Sequence, residues 1–234
     1  FLFNDNYKIK KKVILKTCQI SNRYLNFKLF FLKNKSMNIK KILFSSVVPD
    51  VYLIIKRFLK KNFNKKSIEL KQLNLNKFVK IIVNKRQVGS DRISNAIGII
   101  DKKTNFIVLD FGTATTFDVV VKNKYLGGII APGVDLSLKT LISRASLIPY
   151  VDLSKISKII GTNTVSAVKS GFYWGYSGLI DNIIKLIIKQ TGKPYKIILT
   201  GGLAHLFKNA IKGKVEIRKD LTINGLLKVA KNLK

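Results

Sequence analysis

A mixed α/β fold in two halves is predicted by three features of the 234-residue sequence. Strand-like apolar runs alternate with helically spaced apolar residues in the first half. Three strand-like runs, 106–109, 115–121 and 125–131, then succeed one another across short turns, the pattern of an antiparallel meander. Later, a run at 195–199 leads through Thr200-Gly201-Gly202 into a helix.

Taken in order, residues 1–32 hold short apolar pieces at 1–3, 13–15 and 24–32 that are too mixed to assign. Ile42-Leu43-Phe44, continued by Ser45-Ser46-Val47-Val48-Pro49, reads as a buried strand stopped by proline, which cannot donate to a ladder. Asp50 reads as the N-cap of a helix, because Val51, Ile54, Ile55, Phe58 and Leu59 then recur at helical spacing to about residue 61. A strand at 78–83 and a helix through Ile93, Ala96, Ile97 and Ile100 complete a first half, 1–102. The second half, 103–234, opens with the meander. Pro132 and Gly133 break it, and residues 134–142 resume helical spacing. Helices are predicted at 165–173, at 178–190 and from about Leu203. No Pro/Gly/Ser-rich linker separates the halves, so the division falls within a compact body near residues 100–105.

Composition narrows the partners. Hydrophobic residues make up 47% of the chain, enough for a globular core, yet polar residues interrupt every apolar run before the roughly 18 residues needed to span a bilayer. The chain therefore reads as soluble, with no membrane partner. It starts at Phe1 rather than methionine and lacks the basic-then-apolar order of a secretory signal, so it reads as a fragment. Cys18 is the only cysteine, which excludes intrachain disulfides and cysteine zinc sites and suits a reducing cytoplasm. The formal charge of +32 would ordinarily point to nucleic acid. Six arginines against 38 lysines argue against that partner, since arginine is the better bidentate reader of phosphate and guanine. Abundant Lys, Asn, Ile and Phe together read as the imprint of coding DNA rich in A and T. Half of the 44 basic residues lie in the first ninety positions, where any nucleic acid would bind.

Acidic residues are scarce, which makes their grouping informative. Only 12 exist, yet Asp91, Asp101, Asp110 and Asp118 share a 28-residue window. Within it, Asp110-Phe111-Gly112-Thr113-Ala114-Thr115-Thr116-Phe117-Asp118 joins two strands through a turn rich in glycine and hydroxyls. Such a turn aims backbone N–H groups and hydroxyls at one point, as phosphate sites do, and its acids could hold a cation that shields the phosphate. An ordinary hairpin, with Gly112 serving the turn, is the alternative. Gly89-Ser90-Asp91-Arg92 precedes a helix, so Asp91 would meet the positive end of the helix dipole. It could take a proton from a substrate hydroxyl, and Arg92 could bind a carboxylate or phosphoryl group; a plain helix cap with a solvated arginine is the alternative. Thr200-Gly201-Gly202 offers a second close approach to backbone N–H groups, or merely a connection. Gly127-Gly128 and Pro132-Gly133 read as a ligand wall or as strand bends. His205, the sole histidine, reads as an ordinary helix residue. No Walker, dinucleotide, metalloprotease or serine-elbow motif is present.

Taken together, Gly89-Ser90-Asp91-Arg92, Asp110 to Asp118, Gly127-Gly-Ile-Ile-Ala-Pro-Gly133, Gly161-Thr-Asn-Thr164 with Ser170-Gly171, and Thr200-Gly-Gly202 resemble type III pantothenate kinase in order and content, and Ser45-Ser-Val-Val-Pro49 adds to the match. The resemblance spans nearly the whole chain. It implies the acetate and sugar kinase, Hsc70 and actin superfamily: two related ribonuclease H-like halves with mixed sheets, a nucleotide cleft between them, and a homodimer. It also implies ATP and pantothenate as substrates, Mg2+ or another divalent metal, and K+ or NH4+ as monovalent cation. By position, Asp91 resembles the base facing the pantothenate hydroxyl, with Gly89, Ser90, Arg92 and Thr164 as substrate contacts. Gly112 and Thr113 resemble ATP-phosphate contacts, and Asp110 the monovalent-cation ligand.

Two departures stand out. The family's opening Asp-x-Gly-Asn-Thr turn does not occur, and Phe1-Leu-Phe-Asn-Asp resembles the family's segment just past that turn, so the sequence reads as lacking its first strand and turn. Near residue 82, where the family often has an aromatic residue and Asn-Pro, the chain has Ile82-Val83-Asn84-Lys85. The leading expectation is an ATP-dependent pantothenate kinase. A non-catalytic transcriptional accessory factor on the same fold and a basic nucleic-acid-binding protein are the alternatives.

Overall fold

The structure, a computed structural model, describes residues 1–15, 17–29 and 39–233. Its contacts divide the chain into two compact units: Phe1–Lys80, Asn84–Ile99 and Thr222–Lys234 form the first, Ile81–Val83 and Ile100–Leu221 the second. The residues from Thr222 onward rejoin the first unit.

The first unit opens with an antiparallel pair, β1 (Leu2–Phe3) and β2 (Ile9–Lys11), then a short helix α1 (Asn22–Lys28), capped by the Ser21 hydroxyl. The apolar piece read at 24–32 falls partly on α1 and partly outside the described residues. β3 (Ile42–Phe44) runs parallel to β4 (Ser67–Glu69), with α2 (Pro49–Phe63) as the crossover between them. α2 begins two residues earlier than predicted. Pro49 occupies its first turn, where the missing N–H has no helical partner to lose, so Val48 is the cap and Asp50 sits inside the turn. Leu25, Phe58 and Leu59 form the buried centre here, with Ile42, Phe44, Ile54, Ile55 and Phe63 against it.

The predicted strand at 78–83 is shorter in the structure. Phe78 and Val79 donate to Leu75 O in a turn, leaving β5 (Lys80–Ile81). α3 (Ser90–Ile99) comes next, as expected. A further helix that the sequence reading did not assign, α7 (Leu221–Asn232), packs on it. Ser94 Oγ donates to Thr222 O at 2.7 Å, Thr222 Oγ1 to Asn95 Oδ1 at 2.7 Å, and Lys228 Nζ to Ile97 O at 3.2 Å. Gly225 makes this contact possible, because a side chain there would overlap the backbone oxygen of Ser94.

The second unit is built on a six-stranded mixed sheet whose meander is as predicted: β6 (Asn105–Phe111), β7 (Ala114–Val121) and β8 (Lys124–Pro132) pair antiparallel. β9 (Lys196–Gly201) runs parallel to β6, and β10 (Val215–Ile217) parallel to β9, giving the order β10-β9-β6-β7-β8-β5. Gly127, at φ +114°, lies beside an irregularity in the β7–β8 register. α4 (Val134–Arg144) starts after the Pro132-Gly133 break. The two helices predicted at 165–173 and 178–190 are one 28-residue helix, α5 (Thr164–Thr191). Gly175 and Gly178 do not break it, because Tyr173, Ser177, Ile180, Ile184 and Ile187 keep one face buried straight through that region. Against that face lie Ile107, Leu109 and Phe111 of β6, Ile197 and Leu199 of β9, and Phe207 of the short α6 (Ala204–Phe207).

Candidate functional site

In the second unit, the β6–β7 hairpin brings Asp110 to the end of β6 and closes with Gly112 N–H donating to Ala114 O at 3.1 Å. Gly112 and Thr113 are exposed and Asp110 is half-buried, so the turn faces solvent while its root is held. Parallel pairing places Thr200 opposite Asp110 and Gly201 opposite Phe111, and Gly202 N–H donates to Phe111 O at 3.2 Å. Gly201 has φ +88°, and a Cβ on it would lie 2.6 Å from Phe111 N and 2.7 Å from Asp110 Oδ1. Gly133 plays the same part from the other side, since a Cβ there would overlap Thr113 O. Three motifs far apart in sequence therefore meet at one turn, and glycine is the residue that lets them. The root is fixed by stacked rings: Phe111 lies 5.2 Å from Phe207 with planes 5° apart, and Tyr173 lies 5.9 Å from Phe207.

Asp118, at the far side of the motif, is elsewhere in role. It is fully buried and accepts from the Tyr125 hydroxyl at 2.7 Å. Thr164 is exposed as the first residue of α5, beside the Asn163 capping box. His205 bonds through Nδ1 to Gly202 O at 3.1 Å, a local helix-start contact.

In the first unit, Gly89, Ser90, Asp91 and Arg92 stand together at the start of α3. Ser90 is buried and the Asp91 and Arg92 side chains are half-buried. Asp91 Oδ1 accepts from Arg92 N–H at 2.8 Å, and a Cβ on Gly89 would lie 2.5 Å from that same oxygen. Gly89 thus leaves the room the carboxylate occupies. Beside it is a pocket of about 360 Å³ lined by Ser46, Val47, Tyr52, Glu69, Lys71 and Ser90, among others. Ser46, Val47 and Pro49 of the Ser45–Pro49 motif therefore belong to this wall.

Among the described residues no group of three or more His, Cys, Asp and Glu side chains gathers to hold a metal. A single carboxylate such as Asp110 beside an exposed turn suits only cations that draw most of their ligands from phosphate, carbonyl and water oxygens. Among the same residues no helix is long and apolar enough to cross a membrane.

The family model described as type III pantothenate kinase matches residues 3–186. This chain belongs to the type III pantothenate kinase family. A type III pantothenate kinase from Pelagibacter ubique is 55% identical over 233 residues, covering 100% of this chain and 94% of that protein. One from Koribacter versatilis is 40% identical over 192 residues, covering 79% of this chain and 68% of that protein. Among solved structures, a protein from Campylobacter jejuni described as a conserved Baf family transcriptional activator superposes with a TM-score of 0.57 at 22% identity, over 88% of each chain, which is a likeness of fold.

Seen as a pantothenate kinase family member, the chain has site-building residues that sequence reading missed. Glu69 accepts from Ser90 Oγ across 21 positions, a partnership no local pattern announces. Phe207 stacks on Phe111 at the root of the Gly112–Thr113 turn from a helix of only four residues. α7 did leave a signal, in the turn-by-turn recurrence of Leu221, Gly225 and Val229 on its buried face.

Proposed function

We propose that this chain transfers the γ-phosphoryl group of ATP to the terminal hydroxyl of pantothenate, making 4′-phosphopantothenate at the first step of coenzyme A synthesis. Membership of the type III pantothenate kinase family carries this reading. In it, Gly112 and Thr113 receive ATP phosphate, with the backbone held open by Gly133 and Gly201. A divalent cation such as Mg2+ supplies charge shielding on the phosphates when bound with ATP, and the donor set fits K+ or NH4+ at Asp110. Asp91 is the general base that takes the hydroxyl proton as the oxygen attacks phosphorus. Arg92 and the Gly89–Ser90 backbone bind the acid end or the polar middle of pantothenate, and Thr164 adds a hydroxyl contact. Much of the rate would come from alignment, because in-line phosphoryl transfer asks the protein chiefly to position and shield. A homodimer working in the cytoplasm completes the proposal, from the family resemblance and the single cysteine.

The test is turnover by the protein expressed from its complete reading frame, with ATP, MgCl2, and KCl or NH4Cl. ADP release dependent on pantothenate, and a product heavier by one phosphate, are expected. Asp91→Asn should lower kcat by about 10²- to 10⁴-fold, the range of positioned acid–base groups. No pantothenate phosphorylation by the wild type overturns the assignment, and an undiminished Asp91→Asn overturns the role of that residue.

A further inference from the structure

We infer that Glu69 is a positioning residue of the pantothenate kinase reaction: it aims the Asp91 carboxylate by holding the hydroxyl of Ser90 at the first residue of α3. This rests on the reading of Asp91 as base. Glu69 ends β4, and its carboxylate is shared between two donors. Oε2 accepts from Lys71 N–H at 2.6 Å, which fixes the carboxylate to the short turn Leu70–Gln72 after the strand. Oε1 accepts from Ser90 Oγ at 2.5 Å, reaching across to α3. Ser90 is 1% exposed, so its hydroxyl has little recourse to water if this acceptor is lost. The segment around Glu69 also grips the loop leading into α3. Lys71 Nζ donates to Arg86 O at 2.9 Å, and Lys85 Nζ donates to Leu73 O at 2.9 Å.

The consequence falls on the next residue. Asp91 comes directly after Ser90, and its Oδ1 lies over Gly89 while accepting from Arg92 N–H. Its direction is therefore set by the local path of residues 89–92. That path is anchored by the Ser90 hydroxyl. Glu69 also lines the pocket beside Ser90, so a direct substrate contact is the competing role for it. The two roles separate kinetically: a positioning group acts on kcat through Ser90, whereas a substrate contact acts on the KM for pantothenate without Ser90.

Four proteins distinguish them: wild type, Glu69→Ala, Ser90→Ala and the double variant, with Glu69→Gln as the conservative control. Glutamine can keep both contacts, its carbonyl accepting from Lys71 N–H and its amide donating to a reoriented Ser90 hydroxyl. Glu69→Ala should lower kcat about 10- to 100-fold, as small misplacements of reacting groups do, with the KM for ATP within about twofold. Glu69→Gln should recover most of the loss, and the double variant should be no slower than the slower single one. Hydrogen exchange at the first amides of α3 should accelerate in Glu69→Ala and not in Glu69→Gln. Unchanged kcat in Glu69→Ala, a loss confined to the KM for pantothenate, or multiplicative losses in the double variant overturns the inference. Should the wild type prove inactive on pantothenate, the function assignment falls by itself, and hydrogen exchange still decides whether Glu69 orders the start of α3. If Glu69→Ala does not fold, the kcat and exchange of Glu69→Gln and Ser90→Ala carry the same decision.

Discussion

Asp101 shows how one side chain can set a turn and a pH response. Its carboxylate accepts from Lys103 N–H at 2.8 Å, Thr104 N–H at 2.7 Å and Thr104 Oγ1 at 2.7 Å, closing the link between α3 and β6. The Thr104 backbone bond, then its hydroxyl and the Lys103 N–H, hold the carboxyl down to about 2. The folded state thus prefers the ionised form more than the unfolded chain does. That preference stabilises fully above about pH 4, the ordinary carboxylate range, and fades as pH falls through about 2. In Asp101→Asn, thermal melts between pH 6 and pH 2 should lose this part of the acid slope, while wild type falls more steeply below about pH 4. Gly201 acts at the same scale in another way. Its positive φ and its contact with Asp110 and Phe111 tie glycine to geometry rather than to flexibility.

Elements decide whether the turn proposed for phosphate keeps its shape. The turn is short and exposed, but it sits on β6, whose Phe111 stacks on Phe207, which in turn lies against Tyr173 of α5. Phe207 is fully buried, so Phe207→Ala would open a cavity behind the turn. A loss of about 3–5 kcal/mol in urea denaturation is expected, with weaker ATP binding if Gly112 is the phosphate contact proposed above, since Phe111 adjoins it. Normal stability in Phe207→Ala would show that the rings do not support the turn. The continuity of α5 comes from the same burial. Intrinsic propensity alone argues for a break at Gly175 and Gly178, at about 1 kcal/mol per glycine, whereas the apolar face against β6 and β9 spans both.

At the scale of the whole molecule, the first unit is completed by residues from the far end of the chain. α7 meets α3 through Gly225 and Ser94, and α3 carries Asp91, so the candidate base sits on a helix supported by residues more than 120 positions further along the chain. Gly225→Val should therefore destabilise the first unit by about 1–3 kcal/mol, the usual range for overpacking. Hydrogen exchange should report it in α3 and α7, with the amides of β6 and β9 keeping their protection. Equal loss of protection in both units would show that the two do not respond separately to this contact.

Much of this architecture is legible in the sequence because its causes are local. The meander comes from apolar runs between tight turns, and the start of α3 from Gly89 to Arg92. The family likeness also rests on contiguous motifs. Local pattern misreads the features that depend on burial, namely the unbroken α5 and the trimmed strand at β5. It is silent on Glu69, which no sequence signal pairs with Ser90. By itself, then, the sequence determined the mixed α/β class, the hairpin turn after Asp110 and the residues proposed for chemistry. Tertiary structure alone decided which distant residues aim them, because a hydrogen bond or a glycine contact across the fold depends on where the chain returns, and spacing along the chain does not encode that return.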